Sequence, residues 1–396
     1  MPDLGEFKTH WRAILACFIG VGSALSMNTA LLSVMAPYMM KDFGFTSAQW
    51  AQAHGGSIVM IFCLPLIGSL TDRFGVHRIA PIGILTFPLS LVAMTLIDAS
   101  FSTFVVIFVL QTIFGCTTTA TVYTRLVAVR FVKWRGLALG LCAASTALFG
   151  IFGPPIISVF AQQYGWRASM LTIAGISLLC GSIAYMLMPK SDDSGPRKAA
   201  PKGTWKGIIG QPVFWVIFIA TILVSLSHPI ISGQLKLVSM AQGLKDVQAA
   251  SIMSIFYSCV IAGRIMSGVA IDRLHPHNVA AFFLVLPAVG MLLLVSGYDS
   301  YWAVALAIIA LGLAYGGEGD LVGYLVVRHF GVKVFSTVMG LMTAGIVIAS
   351  AGGSMVLGSF LQSAGGYDRY FHYAIVGVVI GAFMFKLLER FPRLDE

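Results

Sequence analysis

Charge is scarce in this sequence: 16 acidic and 25 basic residues make up only 10% of a 396-residue chain. A soluble domain carries about 25% charged residues, so the chain cannot clothe itself in a hydrated surface. Cysteine is also sparse. The six positions, Cys17, Cys63, Cys116, Cys142, Cys180 and Cys259, all lie in apolar stretches and form no Cys-x-x-Cys pair. That pattern argues against a disulfide framework or a metal site and for buried small hydrophobes. Catalytic signatures are missing too: there is no His-Glu-x-x-His, Gly-x-Ser-x-Gly or P-loop. An enzyme is therefore not expected, and no cofactor or metal is expected. What the chain has in abundance is apolar surface, with 58% hydrophobic residues and a mean hydropathy of +0.88.

Apolar stretches of about 18–25 residues span a bilayer. Twelve are visible, at 12–37, 48–70, 79–98, 103–128, 138–162, 168–188, 212–236, 247–270, 278–297, 302–327, 335–361 and 369–388. Lipid offers no partner for open backbone, so all must be helices. The polar segment Lys190 to Lys206, with five basic residues, splits them six and six and reads as a linker. The expected architecture is an all-α membrane protein of two pseudo-symmetric six-helix bundles, residues 1–189 and 211–396, joined by a linker at 190–210. The polar start, Met1 to Arg12, reads as a cytoplasmic tail before the first span, not a cleaved signal peptide.

Placing both termini and the linker in the cytoplasm puts 18 of the 25 Lys and Arg on that side, four outside (Lys41, Arg167, Lys245, Arg369) and three in spans (Arg125, Lys236, Arg264). This positive-inside bias sets the expected orientation. It also explains the net charge of +9 without a nucleic-acid partner. Pro154-Pro155 and His228-Pro229 predict kinks or local unwinding, and the many glycines in the spans let helices approach closely.

A short pattern occurs twice, 200 positions apart: Gly68-x-x-x-Asp72-Arg73 and Gly268-x-x-x-Asp272-Arg273. Two similar membrane halves are the plan of a secondary transporter. The stretch Gly68-Ser-Leu-Thr-Asp72-Arg73-Phe-Gly75-Val-His-Arg78 resembles the loop motif between helices two and three of the major facilitator superfamily, and the second copy its counterpart between helices eight and nine. Arg135-Gly-Leu-Ala-Leu-Gly140 and Tyr164-Gly-Trp-Arg167 are similar to motifs of the bacterial monocarboxylate-porter and oxalate/formate-antiporter branch. The resemblance implies a carrier of small organic anions, often with protons, in a bacterial cytoplasmic membrane. One departure stands out. Monocarboxylate porters place an Asp four residues before the helix-eight Arg, and here Val260 precedes Arg264. An alternative within the same fold is a proton-driven exporter of drugs or metabolites. Gly150-x-x-Gly153-Pro154-Pro155 partly matches the exporters' motif but lacks its full glycine set. Expected partners are a small carboxylate, protons or a counter-anion, and the lipid bilayer. A monomer is expected.

Ionisable residues in spans are expensive and mark working sites. Arg125 in helix four offers a planar fork for a carboxylate, either the substrate's or that of a fixed structural partner on helix ten. Aligning Phe131 with Phe330 pairs Arg125 with Tyr324 and sets Asp320 about 6 Å, one helical turn, away. Glu318 and Asp320 point about 200° apart on a helix, and one of them is the candidate proton carrier. Asp320, Tyr324 and Arg328 share one face. His228 and its repeat partner Asn28 lie on helices seven and one, which line the cavity in the superfamily. A His there serves as a polar substrate contact or a simple helix-to-helix bond. Tyr123, Tyr315, Tyr324 and Gln111 are further pocket candidates. Lys236 either snorkels or attracts anions at the outer mouth. Asp72, Arg73, Asp272 and Arg273 are expected to form the cytoplasmic gate, joined by Arg264.

Overall fold

The computed structural model describes residues 5–23, 25–97, 100–131, 134–189, 204–297, 300–331, 334–363 and 365–391. Every regular element among the described residues is helical. Eleven helical stretches are long and apolar enough to cross a membrane, and the longest, Ala138–Leu187, has 50 residues. At about 1.5 Å per residue it would measure about 75 Å, against a hydrocarbon core of about 30 Å. It is two spans. Gly165, at φ 83° and ψ 164°, breaks the run between them, a backbone setting open to glycine and strained for other residues.

We number the spans accordingly. Span α1 is Gly5–Gly22 with Leu25–Phe43, and α2 is Ser47–His54, the 3-10 turn Gly55–Val59 and Met60–Phe74. Span α3 is Val76–Thr95, and α4 is Phe101–Gly115, Cys116–Thr118 and Ala120–Ala128. Spans α5 and α6 divide Arg135–Leu187 at Gly165. Span α7 runs from Pro212–Val224 through irregular turns to Leu235–Ala241. The remainder are α8 (Asp246–Arg273), α9 (Pro276–Val295), α10 (Tyr301–Phe330), α11 (Phe335–Leu361) and α12 (Gly366–Leu387).

Three of these spans, α2, α4 and α7, are interrupted among the described residues, where the sequence suggested two kinks, at Pro154-Pro155 and His228-Pro229. The kink expected at Pro154-Pro155 does not break α5, because both prolines keep helical geometry and Gly165 alone departs from it. The expected first span, 12–37, extends to 5–43, with residue 24 outside the described residues.

The chain packs as two compact units, Met1–Phe45 with Val59–Arg197 and Thr46–Ile58 with Lys198–Glu396. Of the stretch expected as a linker, residues 190–203 lie outside the described residues. The start of α2, expected in the first half, packs with the second. The first unit closes over Ala13, Ala16, Cys17, Ile79, Tyr123, Leu126 and Phe131. The second closes over Phe214, Ile217, Phe283, Leu321, Leu325, Met342 and Phe385.

In the second unit, α8 and α10 approach with almost no side chain between them. A Cβ on Gly316 would sit 2.1 Å from the Val260 carbonyl oxygen, and one on Gly263 would sit 2.1 Å from the Leu313 oxygen. Small residues permit such backbone approach where lipid supplies no hydrophobic drive. Gly316→Ala is therefore expected to pry the helices apart and cost about 1–3 kcal/mol. Gly319→Ala, whose Cβ meets nothing within 4 Å, should be near neutral. Thermal unfolding of the two purified variants checks this, and equal melting points would contradict the packing argument.

Candidate functional site

The break in α7 organises the second unit. Pro212–Val224 gives way to a 3-10 turn, Ser225–Ser227, then to the wide turn Ile230–Gln234. Within it Ser232 (φ −83°, ψ 78°) and Gly233 (φ 96°, ψ −7°) leave the helix altogether. Pro229 has no N–H to offer and helps to set the break. The freed backbone finds side-chain partners: the Tyr370 hydroxyl donates to the Leu226 carbonyl at 2.7 Å, and the Trp50 indole N–H donates to the Gly233 carbonyl at 3.0 Å. The Tyr367 hydroxyl donates to Gln234 Oε1 at 2.7 Å.

At the start of this break sits a buried polar cluster. Glu318 Oε2 lies 2.8 Å from His228 Nε2, and Glu318 Oε1 accepts from the Ser225 hydroxyl at 2.5 Å. The Tyr315 ring stands 5.0 Å from the imidazole. The His228 and Glu318 side chains are both under 10% exposed. Two residues further along α10, Asp320 lies on the exposed side with Tyr324. Helical geometry thus sends the two carboxylates to different surroundings, as a separation of about 200° requires.

Asp320 has its own partner. Its Oδ2 lies 3.2 Å from Arg264 Nε, with both side chains about half exposed. The close packing of α8 on α10 makes this possible, since a Cβ on Gly316 would also meet the Arg264 backbone nitrogen at 3.0 Å. Arg264, expected to join the gate around Asp272, has Asp320 of α10 as its neighbour. The carboxylate that Val260 does not supply on α8 reaches Arg264 from α10 instead. Arg328, expected on the face of Asp320 and Tyr324, is half-buried there. The expectation for Lys236 is corrected: it is fully buried, and its ammonium lies 2.7 Å from Asp246 at the start of α8. It neither snorkels nor stands at a mouth.

In the first unit the structure brings Asn28 and Gln111 together. The Asn28 amide donates to Gln111 Oε1 at 3.1 Å, in a buried setting between α1 and α4. Gln111 Nε2 is buried without a hydrogen-bond partner among the described residues. Arg125 is half-buried on α4 in the same unit. Tyr123, expected near the pocket, is 1% exposed. Its ring presses on Gly20, where a Cβ would lie 2.4 Å away, so it is a packing residue. The Tyr164-Gly-Trp-Arg167 motif is also structural. Arg167 Nη1 and the Trp166 indole both donate to Asp42 Oδ2, at 2.5 and 3.1 Å, tying α6 to the end of α1. Arg73 and Arg273 are exposed, and the Arg73 guanidinium lies 5.2 Å over the Phe74 ring. The Asp72 and Asp272 side chains lie outside the described residues.

Spacing alone did not point to Trp50, Ser225 or Asp246. The one readable signal was Gly312-x-x-x-Gly316 on α10, a pattern for close helix approach.

Interrupted helices with buried polar pairs, in a chain of two helical units, are a pattern common among secondary transporters. The Major Facilitator Superfamily model matches residues 17–354, and the chain belongs to that family. It is similar to rat monocarboxylate transporter 3, with 26% identity over 389 residues, 94% of this chain and 79% of that protein. Chicken monocarboxylate transporter 4 is 25% identical over 397 residues, covering 95% and 82%. The fold resembles the crystal structure of a mutant of the nucleoside transporter NupG, with a TM-score of 0.81 at 13% identity over 96% of this chain and 99% of that one. It also resembles a bacterial homologue of the human lysosomal transporter Spinster, at 0.73 and 14%, over 98% of both chains. The chain is thus a transporter and not an enzyme.

Breaking a buried pair strands a charge. His228→Ala is expected to cost about 3–5 kcal/mol, and adding Glu318→Gln should recover part of that loss. Thermal unfolding of both single variants and the double variant tests this, and simple additivity would contradict a direct pair.

Proposed function

We propose that this transporter moves a small organic anion, a monocarboxylate, together with a proton by alternating access. The observation that carries the reading is the Arg264–Asp320 pair, a cation and a carboxylate side by side and half exposed on spanning helices. A guanidinium is the natural holder of a substrate carboxylate. While Asp320 is ionised it occupies that guanidinium; a proton on Asp320 releases it. Likeness to monocarboxylate transporters over nearly the whole chain supports the same substrate class.

Glu318, buried against His228 and Ser225, is the proposed proton carrier. A carboxylate in a low-dielectric site exchanges its proton only when its partner or its solvent access changes. Moving His228 away from Glu318 would favour protonation, and restoring the pair would favour release. Asn28, Gln111 and Arg125 are the first unit's candidate contacts. Asp72, Arg73, Asp272 and Arg273 are proposed to hold the cytoplasmic gate, and the positive-inside bias supports cytoplasmic termini.

Uptake into proteoliposomes under an imposed pH gradient tests the reading. Arg264→Ala should lose carboxylate binding by at least about tenfold, as loss of a charge-assisted bidentate contact implies. Glu318→Gln should keep substrate exchange but lose pH-driven accumulation. If Glu318→Gln and Asp320→Asn both still drive uphill, pH-dependent uptake, proton coupling through this pair of carboxylates is wrong.

A further inference from the structure

The N-terminal part of α2 occupies an unusual place. Residues 46–58 pack with the second unit, while Met60–Phe74, the rest of the same span, packs with the first. A five-residue 3-10 turn, Gly55–Val59, joins the two parts. The packing of this segment is close. A Cβ on Gly358 of α11 would meet Gln52 Cγ at 2.6 Å, and one on Gly55 would meet Met355 Cγ at 2.6 Å. Its most specific contact is with the break in α7. The fully buried Trp50 indole donates to the Gly233 carbonyl. The His54 ring lies against Gly233 itself, where a Cβ would be 2.3 Å from Nε2. His54 Nδ1 is 2.9 Å from the Trp50 carbonyl.

The same irregular turn therefore has two clients. At one end His228 faces Glu318; further along, Gly233 faces Trp50. A carbonyl freed by a helix break in lipid must be satisfied, so Trp50 helps to set the turn's shape. We infer that Trp50 is a positioning residue for coupling: its bond to Gly233 holds the α7 break in the form in which His228 meets Glu318, and so links that pair to the 46–58 segment. The inference builds on the proton-carrying role proposed for Glu318. Charged and titratable groups around the pair are Tyr315 and, facing it, Tyr257 and Arg264; around Gly233 are His54, Tyr367 and the Lys236–Asp246 pair.

Coupling is reciprocal, which gives a test needing no substrate. Hydrogen exchange would be followed by mass spectrometry on the purified full-length protein, on Trp50→Phe and on Glu318→Gln, each at acidic and neutral pH after correction for intrinsic rates. Trp50→Phe keeps a ring and removes the donor; it should raise exchange across 228–234 by roughly fivefold or more. Glu318→Gln should raise exchange in 46–58 by a similar factor and abolish its pH dependence, with α9 unchanged in both. A local structural role for Trp50 would not make 46–58 respond to Glu318. Unchanged exchange of 46–58 in Glu318→Gln, with its pH dependence intact, overturns the link, and this arm decides even if Trp50→Phe does not fold. The proton reading is judged separately by uptake. Lost pH-driven uptake with unchanged 46–58 exchange sinks the link alone, and retained uptake with altered 46–58 exchange supports the link and sinks the proton reading alone.

Discussion

A polar group inside a lipid-spanning bundle has no water to fall back on, and that constraint organises this protein. The charged groups around the α7 break and the α8–α10 contact are answered by named partners: Glu318 by His228 and Ser225, Arg264 by Asp320, Lys236 by Asp246. The carbonyls of Leu226 and Gly233, released by the α7 break, go to Tyr370 and Trp50. Because an unsatisfied group costs several kcal/mol in hydrocarbon, these pairings fix where helices sit. They also fix where the chemistry can happen, since a pair that must be broken to change state is a place where a proton or an anion can intervene.

Close helix approach delivers the partners. Glycines at 263, 312 and 316 let α8 and α10 touch backbone to backbone. That contact brings Asp320 to Arg264, so a carboxylate from a neighbouring helix stands where a same-helix aspartate was expected four residues before the arginine. The pair is an inter-helix ion pair and depends on the helices staying packed. Moving α8 against α10 would alter the charge pairing directly, with no relay required.

Much of the fold was legible in the sequence. Length, hydropathy and the paired Gly-x-x-x-Asp-Arg motifs suffice for the spans and the family, because membrane insertion depends on composition over long windows. Helical periodicity alone separated Glu318 from Asp320. The pairings were less legible. Arg264 with Asp320, His228 with Glu318 and Trp50 with Gly233 are contacts across 56, 90 and 183 positions, and spacing within a helix says nothing about its neighbours. Tyr123 was hard to read for a related reason: an aromatic hydroxyl on a spanning helix reads the same whether it faces a pocket or, as here, a glycine on the next helix. The breaks in α2 and α4 carry no proline at their centres, so no single residue announced them.

The central claim is that Arg264 is the anion holder of a carboxylate carrier. Its most direct test is a thermal-shift panel on the purified protein and on Arg264→Ala, since ligands that bind the folded state raise its apparent stability. The panel would span mono-, di- and aromatic carboxylates, sugars and lipophilic cations. The account predicts that monocarboxylates stabilise the wild-type protein and not Arg264→Ala. Stabilisation by cations, or by carboxylates equally in both proteins, would contradict it.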